Sequence, residues 1–363
     1  EEIKELSISG NFGMAIKEAE ENYSILHNNY FSVLCSSGTT ALHLACLGLG
    51  INQNSIVIVP ASTNMATFFA PMYCGAKVIP CDVNKDNGLI DLKCLEKICL
   101  EQPVDLVIPV HLYGHVIDVN NLLTLKEKYN FKVIEDCAEA HFASYENDEK
   151  FVGSYFDAGC FSFYANKIIS CGEGGIVLFK NKINANKAKS FKNLSFGSNN
   201  EISKFFHKEI GYNYRLSNLQ AALLNYPIEN RNKILGIRAQ IENLYSSLFK
   251  NREYIEEIPS QLSSYRVNWV YCIKIKEKFF KKFSSKKELL FEIEKKGVEA
   301  RDYFYPADKQ DFLINYSKQK NYNFSECSQA LEFYERSIYL PVYEDLNKDD
   351  ISEIVNIIDS VIL

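Results

Sequence analysis

The chain lacks any apolar run near the ~20 residues that a membrane-spanning helix needs, and no internal repeat or low-complexity stretch recurs along its 363 residues. It also lacks an excess of positive charge. Lysine plus arginine number 40 against 46 acidic residues, a net charge of −6, and no basic stripe offers a nucleic-acid footprint. The eleven cysteines include no Cys-x-x-Cys pair, and their scatter and odd number give neither a metal nor a disulfide framework. Reduced, mostly buried thiols in a cytosolic, cytoplasmic protein are the expectation. The opening residues, from Glu1, carry no signal-peptide pattern. His111 and His115 stand four apart, but Gly114 and the apolar run before them argue against a helix, and no acidic ligand sits between, so no metal site is expected.

What is present is an ordinary globular composition. With 47% apolar and 24% charged residues the chain can bury a large core, and its length favours a large and a small domain. Apolar runs at 55–60, 106–110, 131–136, 159–164 and 176–179 read as buried strands. Helical patterns at 62–73, 89–99 and 118–129 alternate with them. That alternation predicts an α/β fold with a mostly parallel sheet covered by helices on both faces. Residues 1–34 read as helical and then irregular. A long helix over 229–249 leads away, and beyond about 250 a strand over 267–275 and helices over 286–296, 325–337 and 348–361 predict a small C-terminal α+β domain. We therefore divide the chain at 1–245 and 246–363.

The chemistry concentrates between Asp157 and Gly175. An apolar run delivers Lys167 at its end, and a turn with Gly172, Gly174 and Gly175 follows. A lysine placed there is costly unless it is paired or covalently bonded. Desolvation lowers an amine's pKa, which suits Schiff-base chemistry. Lys167 taken alone reads equally as a loop lysine in water. Upstream, Ser37-Gly38-Thr39-Thr40 opens a helix after a short strand, either as a plain hydroxyl N-cap or as a phosphate site made of free backbone amides. Asp136 closes an apolar strand, either as a helix cap or as a carboxylate for a cationic ring nitrogen. Thr39, His111, Asp136 and Lys167 all fall near strand ends, where parallel sheets place ligands.

Taken in order, several blocks resemble the DegT/DnrJ/EryC1/StrS family of sugar aminotransferases. They are Ser37–Leu42, Pro109–Gly114, Ile134–His141, Phe161–Lys167, Gly172–Gly175, Gly211–Arg215 and Leu340-Pro341-Val342-Tyr343. The resemblance covers nearly the whole chain and implies the aspartate-aminotransferase fold, with pyridoxal 5′-phosphate (PLP) carried on Lys167 as a Schiff base. It implies that Asp136 pairs with the pyridinium nitrogen, that Gly38, Thr39 and Ser162 hold the phosphate, and that Asn213 completes that site from the other subunit of a homodimer. Glu139 stands where many members carry Gln, facing the ring.

The family's usual donor is L-glutamate, with Arg215 as the candidate for its carboxylate or, equally, for an interface ion pair. The acceptor is a keto-sugar nucleotide, or a small phosphorylated ketone. Two departures bear on it. Asn64 or Met65 stands where relatives place a stacking aromatic residue. In the segment that holds Tyr303, Asp308 replaces the usual His. The N-terminus is shorter than usual. His111 and Tyr303 complete the expected substrate-facing set. The presence of Lys167 argues against the dehydratase branch, which carries His there, and Lys167 with Asp136 argues against a non-catalytic relative.

Overall fold

The computed structural model describes residues 13–145, 150–197, 205–207, 209–259 and 264–363. The opening segment at 1–12, part of the expected N-terminal arm, lies outside them. Strands run as β1 (Phe31–Cys35), β2 (Ile56–Pro60), β3 (Lys77–Cys81), β4 (Leu106–Val107), β5 (Lys132–Asp136), β6 (Ser144–Tyr145), β7 (Ala158–Ser162) and β8 (Gly175–Phe179). Seven of these form one sheet in the order β1-β8-β7-β5-β4-β2-β3. Only β8 runs against the others; it is antiparallel to both β1 and β7. The carboxyl ends of β1, β5 and β7 therefore lie on the same edge, which is where the candidate residues sit.

Alternation along each strand explains why the sheet is covered twice. Leu34, Ile58, Val107 and Val133 point into one apolar cluster, while Val33, Val57, Leu106 and Ile134 point into a second. Helix α1 (Met14–Leu26) feeds the first cluster through Ala15, Ile16, Ala19 and Tyr23. Helices α2 (Gly38–Gly48) and α3 (Ala66–Tyr73) feed the second. This is the expected α/β architecture.

A four-stranded antiparallel sheet follows toward the C-terminus, ordered β12-β13-β11-β9, from β9 (Ile255–Glu256), β11 (Tyr271–Ile275), β12 (Arg301–Asp302) and β13 (Ser337–Leu340). Strand β10 (Ser264–Tyr265) instead pairs with β6 in a separate two-stranded sheet. The helix Arg231–Phe249 serves both parts: Ile234 enters the first cluster, whereas Ile241, Tyr245 and Phe249 enter a third with Ile273, Leu340 and Ile358.

Several boundaries differ from the sequence reading. Among them, the strand expected over 106–110 covers only Leu106–Val107, and the helix expected over 89–99 runs Leu92–Glu101. Two others have a visible cause. The helix expected from 62 starts at Ala66, because the Asn64 carboxamide accepts from the Ala66 amide (3.0 Å) and makes a turn first. The strand expected from 267 starts at Tyr271. The Asn268 and Trp269 carbonyls accept from Arg238 Nη1 (3.3 and 3.1 Å) instead of from a neighbouring strand.

Gly159, within β7, rests against Gly153; a Cβ there would come within 2.3 Å of the Gly153 backbone. Gly153 is itself left-handed at φ +89°, so it cannot yield readily. Gly159→Ala should lower the unfolding free energy by about 1–3 kcal/mol, read from the urea midpoint at unchanged m-value.

Candidate active site

Three sequence-distant elements meet at the carboxyl edge of the sheet. They enclose a cavity of about 340 Å³ whose wall includes Gly38, Thr39, Asn64, Asp136, Glu139, Ser162 and Lys167. Strand β1 ends at Cys35 and α2 begins three residues later. Ser37 caps α2 reciprocally with Thr40: its Oγ accepts from the Thr40 amide (3.2 Å), and its own amide donates to Thr40 Oγ1 (3.0 Å). The cap therefore occupies Ser37 and Thr40. The amides of Gly38 and Thr39 precede the first intrahelical bond, at the positive end of the helix dipole, and both residues line the cavity. A Cβ on Gly38 would lie 2.8 Å from that of Ser162, and one on Gly175 would lie 2.3 Å from the Ser37 carbonyl oxygen. The backbones are this close only because both residues are glycine.

Asp136 ends β5, 4% exposed. Oδ2 accepts from the Thr67 hydroxyl (2.8 Å) and Oδ1 from the Ala138 amide (3.1 Å). Burial nevertheless raises its pKa; those bonds and the charge of Lys167 only partly oppose the shift. Glu139 is raised for the same reason. Its Oε2 accepts from the Tyr113 amide (3.0 Å), and its Oε1 lies 3.6 Å from Lys167 Nζ. Tyr113 reaches that position through a left-handed backbone, φ 52°. The Lys167 side chain is 11% exposed, and its Nζ lies 3.7 Å from the centre of the Trp269 ring.

Other expected residues stand elsewhere in this chain. His111 is fully buried behind the wall, not on it. Its Nδ1 accepts from the Ile117 amide (3.4 Å), so Nε2 carries the proton and donates to Glu135 Oε1 (3.3 Å). Glu135 also accepts from the amides of Gly153, Tyr155 and Phe156. His111, Glu135 and Cys137 are close enough to hold a metal ion, but the donor atoms of His111 and Glu135 are already engaged, so they form a brace. Tyr303 packs inward against Tyr113 and Phe333 (centroids 4.9 and 5.5 Å), and its neighbour Phe304 reaches the cavity instead. In an extended segment, one residue of register exchanges the faces. Asp308 Oδ2 accepts from the Cys327 amide (3.1 Å) at the start of the helix Ser328–Arg336, away from the wall. Arg215 donates to Asn213 Oδ1 (2.9 Å) and Asn193 Oδ1 (3.2 Å), and neither Asn213 nor Arg215 lines the cavity. Met65 packs with the second apolar cluster, leaving Asn64 and Ala66 on the wall.

The sequence reading missed Thr67, Trp269, Phe304 and Tyr339. Thr67 was detectable as a hydroxyl one helical turn beyond Thr63. Nothing local in the sequence marks the other three, which arrive through tertiary packing from the C-terminal part.

An open sheet with a lysine, a buried acid and a helix N-terminus converging on its carboxyl edge has the architecture of the aminotransferase fold. Helicobacter pylori PseC, an aminotransferase involved in the biosynthesis of pseudoaminic acid, superposes with a TM-score of 0.87 over 100% of this chain and 96% of its own, at 23% identity. Streptomyces venezuelae DesV, solved with a ketimine intermediate, does so at 0.85 over 99% and 94%, also at 23% identity. The chain belongs to the DegT/DnrJ/EryC1/StrS aminotransferase family, whose model matches residues 2–359. It is an aminotransferase. Among its relatives, the GDP-perosamine synthase of Escherichia coli O157:H7 is 29% identical over 347 residues, 95% of this chain and 89% of that one. The UDP-4-amino-4,6-dideoxy-N-acetyl-beta-L-altrosamine transaminase of Campylobacter jejuni is 29% identical over 348 residues, 93% and 87% of the two chains.

The raised pKa of Asp136 has a thermodynamic consequence. A folded-state value above the ordinary 3.8 means that the folded form holds the proton more tightly, so the associated stability is present below about pH 3.8 and lost as pH rises through the folded value. Cofactor-free Asp136→Asn has no charge to bury. It should melt above cofactor-free wild type at neutral pH, and the gap in Tm should close as the pH is lowered toward 4.

Proposed function

We propose that this aminotransferase moves an amino group from an amino acid, L-glutamate, to a keto-sugar nucleotide in surface-polysaccharide biosynthesis, with PLP held on Lys167. The observation that carries the reading is that Lys167, Asp136 and the open amides of α2 share one cavity. PLP, when bound, supplies an electron sink that lets a proton leave the carbon bearing the amino group. The residues present fit it. The Gly38 and Thr39 amides and the Ser162 hydroxyl would take its phosphate. Asp136, buried with no cation in direct contact, would gain one in a protonated ring nitrogen, and its raised pKa would fall back. Lys167 would hold the cofactor through its amine, and that amine, when free, would take and return the substrate proton as the general base. Glu139, bonded to Tyr113 and facing Lys167, orients that amine. Asn64, at the position where relatives carry an aromatic residue, lines the cavity together with Ala66.

The named activities of the relatives favour a nucleotide sugar as acceptor: GDP-perosamine synthases of Escherichia coli and Vibrio cholerae, and the Campylobacter transaminase. Asp308 stands off the cavity wall, so its replacement of His does not by itself argue for a small phosphorylated ketone.

We further read the enzyme as a homodimer with shared sites. Leu219, Leu223 and Tyr226 lie on one face of the helix Asn218–Glu229 and are 48%, 56% and 67% exposed. Asn213 and Arg215, outside their own cavity, sit just before that helix and would enter the partner's site. The eleven free thiols suit a reducing cytoplasm, and among the described residues no helix is long and apolar enough to cross a membrane. We propose the division at 1–245 and 246–363, with the helix Arg231–Phe249 shared between the two cores.

Purified protein given PLP should show a visible Schiff-base band that L-glutamate replaces with a near-ultraviolet one, and a keto-sugar nucleotide should restore it. Lys167→Ala should abolish the band. A band that only small keto-phosphates restore would reassign the acceptor, and no band at all would end the PLP reading. Leu223→Asp should sediment as a monomer and lose turnover while keeping its far-ultraviolet circular dichroism.

A further inference from the structure

Trp269 is the only tryptophan in the chain, and it makes two contacts with the segment that carries Lys167. The Lys167 ammonium lies 3.7 Å from the ring centre, and the indole Nε1–H donates to the Asn166 carbonyl (2.6 Å). The ring is 7% exposed and lines the same cavity. Its own position is fixed from three sides. Arg238, 6% exposed, donates from Nη1 to the Asn268 and Trp269 carbonyls. A Cβ on Gly114 would lie 1.8 Å from the Val267 carbonyl oxygen, so the segment just before Trp269 lies directly on the Gly114 backbone. Tyr113 packs against the indole at 5.9 Å, and the Tyr113 amide is the one that holds Glu139.

We propose that Trp269 is a positioning residue for Lys167: its indole face seats the lysine amine whenever that amine is free, and its ring N–H anchors the loop from which the lysine extends. Resting on the PLP reading above, this gives the free amine a defined place, between the indole face and Glu139 Oε1 at 3.6 Å. A flexible four-carbon side chain released from a Schiff base has many rotamers, and a single seat keeps the amine within reach of the substrate proton. A cation over an indole is the strongest of the aromatic–cation contacts, more so where water is excluded. Arg238 and Gly114 thereby act on the lysine through Trp269, although neither lines the cavity.

Because no other tryptophan emits, the protein's tryptophan fluorescence reports this contact directly. Cofactor-free Lys167→Met should change the emission of Trp269 in intensity and maximum relative to wild type. Fixing PLP on Lys167 by borohydride reduction should quench it. In the donor half-reaction, Trp269→Leu should lower the rate constant about tenfold at unchanged KM for L-glutamate and unchanged PLP content, and Trp269→Phe should recover most of the loss. Emission indifferent to Lys167→Met, or a Trp269→Leu effect confined to KM, would overturn the proposal. If Trp269→Leu fails to fold, the Lys167→Met emission decides alone. A protein that takes up no PLP yet shows the Lys167→Met emission change would sink the cofactor reading and leave the Lys167–Trp269 seat standing.

Discussion

Asp136 is a carboxylate buried at the end of a strand, and its charge survives there only with compensation. Two neutral donors, the Thr67 hydroxyl and the Ala138 amide, supply part of it. Burial still dominates and lifts the pKa. The site is thus built around an electrostatic deficit that a positive partner corrects. Glu139 repeats the arrangement a few residues on, with the Tyr113 amide and Lys167 as its compensation. Two raised acids beside one lysine make a cavity in which each proton's location depends on the other groups present, as acid–base work on a bound amine requires.

Keeping such groups in register demands a stiff support, and the residue before Asp136 provides it. Glu135 points to the other face of β5, where it accepts from the backbone amides of Gly153, Tyr155 and Phe156 and from His111 Nε2. His141 does similar work one loop on. Its Nε2–H donates to the Ser162 carbonyl and its Nδ1 accepts from the Tyr23 hydroxyl, while burial lowers its pKa to about 3, so it stays neutral. The strand end carrying Asp136 is therefore held from beneath by the Glu135–His111 hydrogen bonds, and the one carrying Ser162 by a neutral His141.

Much of this was legible from the chain. Continuous apolar strands between amphipathic helices declare a parallel sheet, and β1, β5 and β7 bring Thr39, Asp136 and Lys167 to one edge as strand-end logic requires. Glycines before and after the lysine mark close approaches, and Gly38 and Gly175 are just that. Failures cluster where local pattern and tertiary contact disagree. Val267–Val270 has the composition of a strand, but Arg238 takes two of its carbonyls and Gly114 receives its backbone, so it becomes a strap. Tyr303 and Phe304 are adjacent aromatics with nothing local to say which faces inward. His111 has the residue type of a ligand and the hydrogen bonds of a brace, a distinction that depends on Glu135 lying across the sheet.

That strap explains how the C-terminal part of the chain enters the chemistry at all. Strand β11 of its antiparallel sheet starts only at Tyr271, and Lys274 there is 2% exposed yet paired with Glu256 (2.8 Å) and bonded to the Lys85 carbonyl (3.2 Å) of the large part. A buried ion pair adds little net stability against an apolar alternative, because desolvation of both charges offsets their attraction. Its directionality is another matter: an ammonium held by a carboxylate on one side and a backbone carbonyl on the other permits few relative placements of the two parts. With the small sheet so registered, Trp269, two residues before β11, comes down beside Lys167, and Tyr339 and Phe304 arrive from the paired strand and the adjoining segment. The aromatic wall is thus a consequence of how the small sheet is held against the large part, and through Trp269 the lysine's seat depends on that placement.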